Sequence, residues 1–306
     1  MSVKRDIRSL SQDQMAEFFE ANGDKAFRAK QVYQWLWQKS ASSFDEMTNL
    51  SKSTRALLEE QFYFNLLEVD LMQRSKDGTI KNAVKLHDGA MVESVLIPTE
   101  KRITACVSSQ VGCSLDCTFC ATASLKRMRN LTPDEIYDQV VIIAQQGKEY
   151  FDRPLTNIVF MGMGEPLLNY NNVLQAIDKI TDPKGLGMSP KRIMLSTIGI
   201  PKFIKKMADD QVKFGLAISL HSAIEEKRAK LMPLAHKSTT LSDLRESLQY
   251  WYSNTGRGVT FEYVIWRGIN DEEADAIALA KFCGAIPTKV NIIQYNSIDN
   301  GPYTQA

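Results

Sequence analysis

Five cysteines, three histidines and ten prolines in 306 residues leave little material for several common designs. A secreted disulfide scaffold needs a dense, even set of cysteines, so that class is excluded. A centre built on several histidines has almost nothing to draw on. No apolar run approaches the roughly 20 residues that a membrane helix requires. Neither sign of charge dominates, with 37 Lys and Arg against 36 Asp and Glu. A global pull on nucleic acid is not built into such a chain, and any basic surface must be local. Residues Met1–Leu10 are polar and charged, unlike a secretory leader. These absences predict a reduced, cytoplasmic protein with no membrane partner. What is present is an ordinary core-forming content, 44% hydrophobic, enough for one large domain with an appendage.

Three of the five cysteines, Cys113, Cys117 and Cys120, fall within eight positions as C-x3-C-x2-C. Thiolates at this spacing fold around three irons of a cubane and leave the fourth iron without a protein ligand, a reactive position. A structural zinc site is the alternative, but it normally needs a fourth ligand. The histidines, His87, His221 and His236, are all remote in sequence. The spacing therefore points to catalytic iron–sulfur chemistry ahead of zinc or unligated core thiols.

The chain divides into three stretches. Residues 1–65 read as an N-terminal helical accessory domain, on which Lys25, Arg28, Lys30 and Lys39 are either a solvated face or an RNA-recognition surface. Ser11 caps a helix through Met15 and Phe18, and Phe27, Val32, Trp35 and Leu36 recur at helical spacing with core aromatics among them. Residues 66–100 read as a small β-meander, with strands at 68–74, 79–86 and 90–97. Asp77-Gly78 and Asp88-Gly89 would supply tight turns with both central residues at positive φ. From 101 to 306 strands and helices alternate. Strands are predicted at 103–109, 156–161, 192–196, 214–219, 259–265 and 290–294, and Thr132, Pro133 and Glu135 mark a helix start. Six strand–helix units predict an α/β fold, an open six-stranded (β/α)6 partial TIM barrel, whose reacting groups collect at the C-terminal strand ends.

The candidate residues fall at those ends. The cysteine cluster follows the first strand and Gly162-Met-Gly164-Glu165-Pro166 the second. Ser196 ends the third, Ser219-Leu220-His221 the fourth, and Asn296 follows the sixth. Taken singly, each has a plain structural reading as a helix cap or a satisfied polar group. Lys101, Arg102, Lys126, Arg127 and Arg129 are either a phosphate-holding patch at the barrel mouth or a solvated charge run.

The cluster after the first strand of such a barrel resembles the radical S-adenosylmethionine (SAM) superfamily. The resemblance narrows with Cys106-Val-Ser-Ser-Gln-Val-Gly-Cys113, Arg129-Asn-Leu-Thr132, Met161-Gly-Met-Gly-Glu-Pro-Leu-Leu-Asn169, Leu195-Ser-Thr197 and Ile218-Ser-Leu-His221. Together, from about residue 20 onward, these are similar to the RlmN family of dual-specificity 23S rRNA and tRNA adenine-C2 methyltransferases. The related Cfr enzymes, which methylate adenine at C8, tend to carry Ala where this chain has Pro166. Ser196-Thr-Ile-Gly-Ile200 and Lys230-Leu-Met-Pro233 lean towards that branch.

The resemblance implies one [4Fe-4S] cluster on Cys113, Cys117 and Cys120, with SAM chelated at the open iron and cleaved reductively to a 5′-deoxyadenosyl radical. It implies SAM contacts at Gly164, Glu165, Ser196, Ser219, Leu220, His221 and Asn296, with Gly162 and Gly164 letting backbone approach the methionyl part. It assigns Glu93 as proton acceptor and Cys106 as the resolving cysteine, which forms a disulfide as product leaves. On their own, Glu93 reads as an outward-facing strand carboxylate and Cys106 as a buried strand thiol. The family's methyl-carrying cysteine lies in a C-terminal segment reading roughly Ala-Cys-Gly. This sequence ends at Gln305-Ala306, and Cys283 reads as a core helix residue, so the chain is expected to be shortened at its C-terminus. Implied partners are 23S rRNA, tRNA and an external electron donor such as flavodoxin, with the chain a monomer. The alternatives from other classes are a zinc-bearing RNA-binding module without catalysis and a non-catalytic homologue.

Overall fold

The computed structural model describes residues 4–297 and 302–306. Its centre is one nine-stranded sheet. The strands are β1 (Glu68–Arg74), β2 (Ile80–Lys85), β3 (Met91–Pro98), β4 (Ile103–Cys106), β5 (Asn157–Phe160), β6 (Ile193–Thr197), β7 (Gly215–Ser219), β8 (Val259–Ile265) and β9 (Thr288–Gln294). Their order in space repeats their order in the chain. β1 to β4 pair antiparallel and β4 to β9 pair parallel. The parallel part is the expected open six-stranded partial barrel, and the antiparallel part is the expected meander. Short, apolar strands such as Ile193–Thr197 are buried on both faces, as helix-covered parallel strands must be.

Both Asp-Gly turns form, with a different geometry from the one expected. Only Gly78 (φ +89°) and Gly89 (φ +82°) take positive φ; Asp77 and Asp88 do not. Ser75 N donates to Thr79 O at 2.8 Å and Gly78 N to Ser75 O at 3.0 Å, so each loop carries three residues closed by a left-handed glycine. The Asp side chains explain their own preference, since Asp77 Oδ1 accepts from Thr79 N and Asp88 Oδ1 from Ala90 N.

Before the sheet come α1 (Gln12–Ala21), α2 (Phe27–Trp37) and α3 (Lys52–Gln61). Ser11 caps α1 in a full capping box with Gln14. Val32 and Leu36 are buried as expected, but Phe27 is 52% exposed and Trp35 only half-buried. Phe27 opens α2 at an exposed end, and the Trp35 indole N–H is drawn outward to Asn49 Oδ1. This helical unit docks on α4 (Pro133–Phe151) and α5 (Tyr170–Thr181). Trp37 meets the ring of Tyr137 edge-on at 5.1 Å, and Lys179 donates to the Tyr33 hydroxyl. Arg8, which is buried, reaches Asp138 with two contacts of 2.7 Å and also faces Asp6 and Asp134. α4 starts as expected, with Thr132 and Glu135 in a capping box.

Register fixes what lines the barrel. Val95 pairs with Cys106, Cys106 with Val159, Val159 with Met194, Ser196 with Ala217 and Ser219 with Glu262. Residues paired across neighbouring strands point to the same face, so Cys106, Met194, Ser196, Ser219 and Glu262 face the lumen while their neighbours pack under the helices.

Candidate active site

The cysteine loop hangs from the C-terminal end of β4. Gln110–Val111 pairs antiparallel with Arg129–Asn130, and Cys113 N donates to Leu125 O, which pinches the loop at its neck. Gly112 sits at that neck with φ +71°, and a Cβ there would lie 2.4 Å from Lys126 O, so no other residue fits. The far side is tied to the two helices that follow α6 (Pro201–Asp209) in the chain, α7 (Glu225–Leu231) and α8 (Pro233–Ser238). Thr118 donates through N and Oγ1 to Leu231 O at 3.0 and 3.2 Å, and Leu234 N donates to Asp116 Oδ1 at 2.8 Å.

All three thiols are free, half-buried and turned to one cleft. Among the described residues no three His, Cys, Asp or Glu side chains converge on a point where a single ion is held. Burial pushes the Cys117 thiol up to about 12 and raises Cys113 as well. Without metal both are protonated at neutral pH, and metal loading displaces those protons.

Glu165, Ser196, Ser219 and His221 line the same cleft, with Gly162 and Gly164 at its wall. Glu165 is buried, and its two oxygens accept from Leu167 N and Ile198 N, each at 3.0 Å. Burial raises its pKa despite these donors. Ser196 and Ser219 place their hydroxyls 3.5 Å apart. His221 is buried at φ +56°, and burial followed by the Arg228 charge pulls it down to about 3, so the ring is neutral. Its Nδ1 accepts from Val264 N, which leaves the proton on Nε2. Phe119 and Trp266 pack on the ring with centroids at 4.7 and 5.8 Å. The two glycines have another reason than the one expected. A Cβ on Gly162 would strike Ser108 and one on Gly164 would strike Gln110, at 2.7 and 2.5 Å. They admit the protein's own β4 loop.

Other expected residues lie outside the cleft lining. Leu220 is fully buried, so only its backbone reaches this region, with N donating to Glu262 O. Asn296 is exposed past β9. Cys106 borders the cleft through Met161, whose N–H its sulfur accepts, and burial lifts its thiol to about 11. Glu93 shares the Cys106 face one diagonal step away, with Val95 between them in register. Its carboxylate is half-exposed and pairs with Lys81 at 2.6 Å.

The basic group is dispersed. Lys101 and Arg102 precede β4, so they stand at the opposite, N-terminal strand end, where Arg102 joins Lys191 and Arg192. Arg129 is spent on Glu135 (2.8 and 2.8 Å) and Asp88 (2.7 Å), holding Asp88 down near 2. Of this group only Lys126 and Arg127 remain exposed at the cysteine loop.

Two charged residues escaped the sequence reading. Glu262 projects into the lumen from β8, accepts from Asn291 Nδ2 at 2.8 Å and borders both the cysteine cleft and the cavity at the strands' N-terminal end. Burial raises its pKa. The period-two alternation of Val259–Ile265 was the available signal. Arg228 is fully buried on α7, where it nears His221 and Cys117. Nothing in a seven-residue helix that carries five charges marks which one turns inward.

Comparison with known proteins decides the lineage. Residues 5–64 match the family model described as the ribosomal RNA large subunit methyltransferase N-terminal domain, and residues 107–280 match the radical SAM superfamily. A probable dual-specificity RNA methyltransferase RlmN of Flavobacterium johnsoniae is 66% identical over 303 residues, spanning 99% of this chain and 86% of the relative. The chain belongs to the RlmN family of the radical SAM superfamily. A dual-specificity RNA methyltransferase RlmN of Nitratidesulfovibrio vulgaris is 44% identical across 97% of this chain and 84% of its own length. The crystal structure of a radical SAM methyltransferase from Sphaerobacter thermophilus superposes with a TM-score of 0.91 at 35% identity, covering 98% of this chain and 88% of that one. The protein is an enzyme of the methyltransferase class. Among the described residues no helix is long and apolar enough to cross a membrane.

Proposed function

We propose that this enzyme methylates C2 of adenine in 23S rRNA and in tRNA with SAM and a [4Fe-4S] cluster. The carrying observation is the convergence, in one cleft at the C-terminal strand ends, of three free thiols, two serine hydroxyls, a neutral histidine and a buried carboxylate. The RNA specificity printed in the names of close relatives supports the substrate class. When bound, the cluster and SAM together supply a 5′-deoxyadenosyl radical by one-electron cleavage of the sulfonium.

The protein's part is placement and proton handling. Cys113, Cys117 and Cys120 act as thiolate ligands. Ser196 and Ser219 offer hydroxyls, and His221 Nε2–H donates without adding charge. Glu165 offers its remaining lone pairs to an ammonium group, and Leu220 contributes backbone only. Asn296, on the segment after β9, completes the contacts to SAM. Glu93 accepts the C2 proton on the rim, where solvent takes it onward. Cys106, after losing its proton with help from the Met161 N–H, attacks the sulfur whose CH2 group is joined to adenine C2: the S–S bond forms, the S–CH2 bond breaks, and the electron pair leaves with the carbon, which takes up a proton to become the methyl group. In this reading the methyl-carrying cysteine is none of the five in this sequence. An external one-electron donor such as flavodoxin serves the monomeric chain.

Anaerobic loading with iron and sulfide tests the reading. The chain should turn brown and cleave SAM on reduction, and Cys113→Ala, Cys117→Ala and Cys120→Ala should each lose the iron–sulfur absorbance. A colourless protein that takes up zinc instead, or full iron content in all three variants, sinks it. Extended by the family's C-terminal segment, the enzyme should yield 2-methyladenine in digests of RNA. Finding 8-methyladenine there would move it to the Cfr branch.

A further inference from the structure

Arg228 is the most anomalous charge in the molecule. It is fully buried, and only Nη2 has a partner, Ile198 O at 2.7 Å. Nε and Nη1 meet no acceptor among the described residues. No carboxylate among those residues lies within ion-pair distance of it. Glu225, the acid whose charge bears on it most, is committed to His236 at 2.8 Å and to Leu241 N. A buried cation left this way is costly, and folds keep one only where something offsets it.

Its surroundings say what that is. Arg228 stands on α7, the helix whose Leu231 carbonyl holds Thr118 of the cysteine loop, and Cys117, a thiol that becomes negative once it ligates metal, lies near enough for that charge to act on it. It shares the peptide of Ile198 with Glu165, which accepts from Ile198 N while Arg228 donates to Ile198 O. The guanidinium thus lies beneath the cysteine loop with two donors free.

Resting on the iron–sulfur reading above, we propose that Arg228 is a positioning and charge-compensating residue for the cluster. Each thiolate brings one negative charge, and reduction by a one-electron donor adds another. A fixed, buried cation stabilises the more negative reduced state, so it raises the potential at which the electron is accepted. Hydrogen bonds to the sulfurs and local charge are the levers that set such potentials.

The test is potentiometric titration of the full chain, loaded anaerobically with iron and sulfide and followed by electron paramagnetic resonance. Arg228→Met should load the same iron, yet its reduced-to-oxidised ratio at a fixed potential should fall at least tenfold, a shift of about 59 mV for one electron. Arg228→Lys, which restores the charge, should recover most of that shift. A fully loaded Arg228→Met with the wild-type midpoint overturns the proposal while leaving the cluster reading intact. A wild-type chain that takes up no iron overturns both. Because the unpaired charge costs stability in the metal-free protein, iron-free Arg228→Met should melt at or above the wild-type temperature. A large loss of stability, or failure to fold, would show Arg228 to be partnered inside the protein and also overturns the proposal.

Discussion

Two buried arginines of this molecule live by opposite rules. Arg8 fastens the N-terminal helical unit to α4 with Asp6, Asp134 and Asp138 around it. Arg228, below the cysteine loop, has one carbonyl and no ion pair among the described residues. The first site has more negative charge than its arginine neutralises, and the second has a cation awaiting an anion. A buried charge that the fold satisfies is architecture; one that it leaves unsatisfied points to a ligand.

The sharpest way to break the contrast is to remove each cation. Arg8→Ala strands three buried carboxylates and should cost about 3–5 kcal/mol of stability, read as a fall in thermal midpoint. Equal losses in Arg8→Ala and in metal-free Arg228→Met would erase the distinction.

Acid sharpens it next. One arginine does not balance three carboxylates, and Asp138 is raised by burial from 3.8 to about 6. A carboxyl whose folded value is raised gives stability that is complete below the unfolded value and lost as pH climbs through the folded one. Melting curves should therefore show the Asp138 contribution, roughly 3 kcal/mol at most, fading between about pH 4 and pH 6. Asp138→Asn should flatten that part of the wild-type profile. An unchanged profile in the variant would mean that Arg8 neutralises Asp138 fully.

Glu165 is the intermediate case, a buried carboxylate with amide donors and, among the described residues, no counter-ion. Glu165→Gln turns one oxygen into a donor facing a donor and should cost about 1–3 kcal/mol. SAM affinity, measured by calorimetry on the loaded enzyme, should drop by about one to two decades. Retained affinity would assign Glu165 to architecture, with Arg8.

The smallest effect belongs to Lys81–Glu93, an exposed pair. Lys81→Met should change stability by less than about 1 kcal/mol, since solvent screens such pairs. Glu93→Gln should match it in stability yet abolish 2-methyladenine formation in the extended enzyme. A product yield unaffected by Glu93→Gln would remove the residue from the chemistry.

The sequence made the strands and the cysteine loop legible because both obey short-range rules. β1 and β8 fall where alternation and turn signals put them, and the Thr132–Glu135 box opens α4 as its spacing requires. Ser196, Ser219 and His221 were reachable because strand ends collect at one mouth. The failures share a different cause. Of the two readings open for Arg102, a phosphate-holding patch at the mouth or a solvated charge run, strand direction removes the first, since it sends the residue to the other end. Arg129 looked free until Asp88, 41 residues away, and Glu135 came beside it. Phe27 follows the helical period but opens its helix at an exposed end, where the Arg28 guanidinium lies 5.0 Å over its ring. Arg228 and Glu262 depend on which neighbours fold against them, and local pattern is silent on that.

The strictly sequential order of the sheet has a consequence for how the enzyme is made. As the chain leaves the ribosome, each strand meets a partner that has already been synthesised, so the sheet grows at one edge in the direction of translation. The cysteine loop is an early product and its walls are late ones. Thr118 waits for Leu231 and, further on, for the hydroxyl of Tyr303, while the strand end at Trp266 waits for Gln305 to bridge it. Nearly two hundred residues of translation thus separate the birth of Cys113, Cys117 and Cys120 from the closing of their cradle, and the thiols pass that interval open to oxidants.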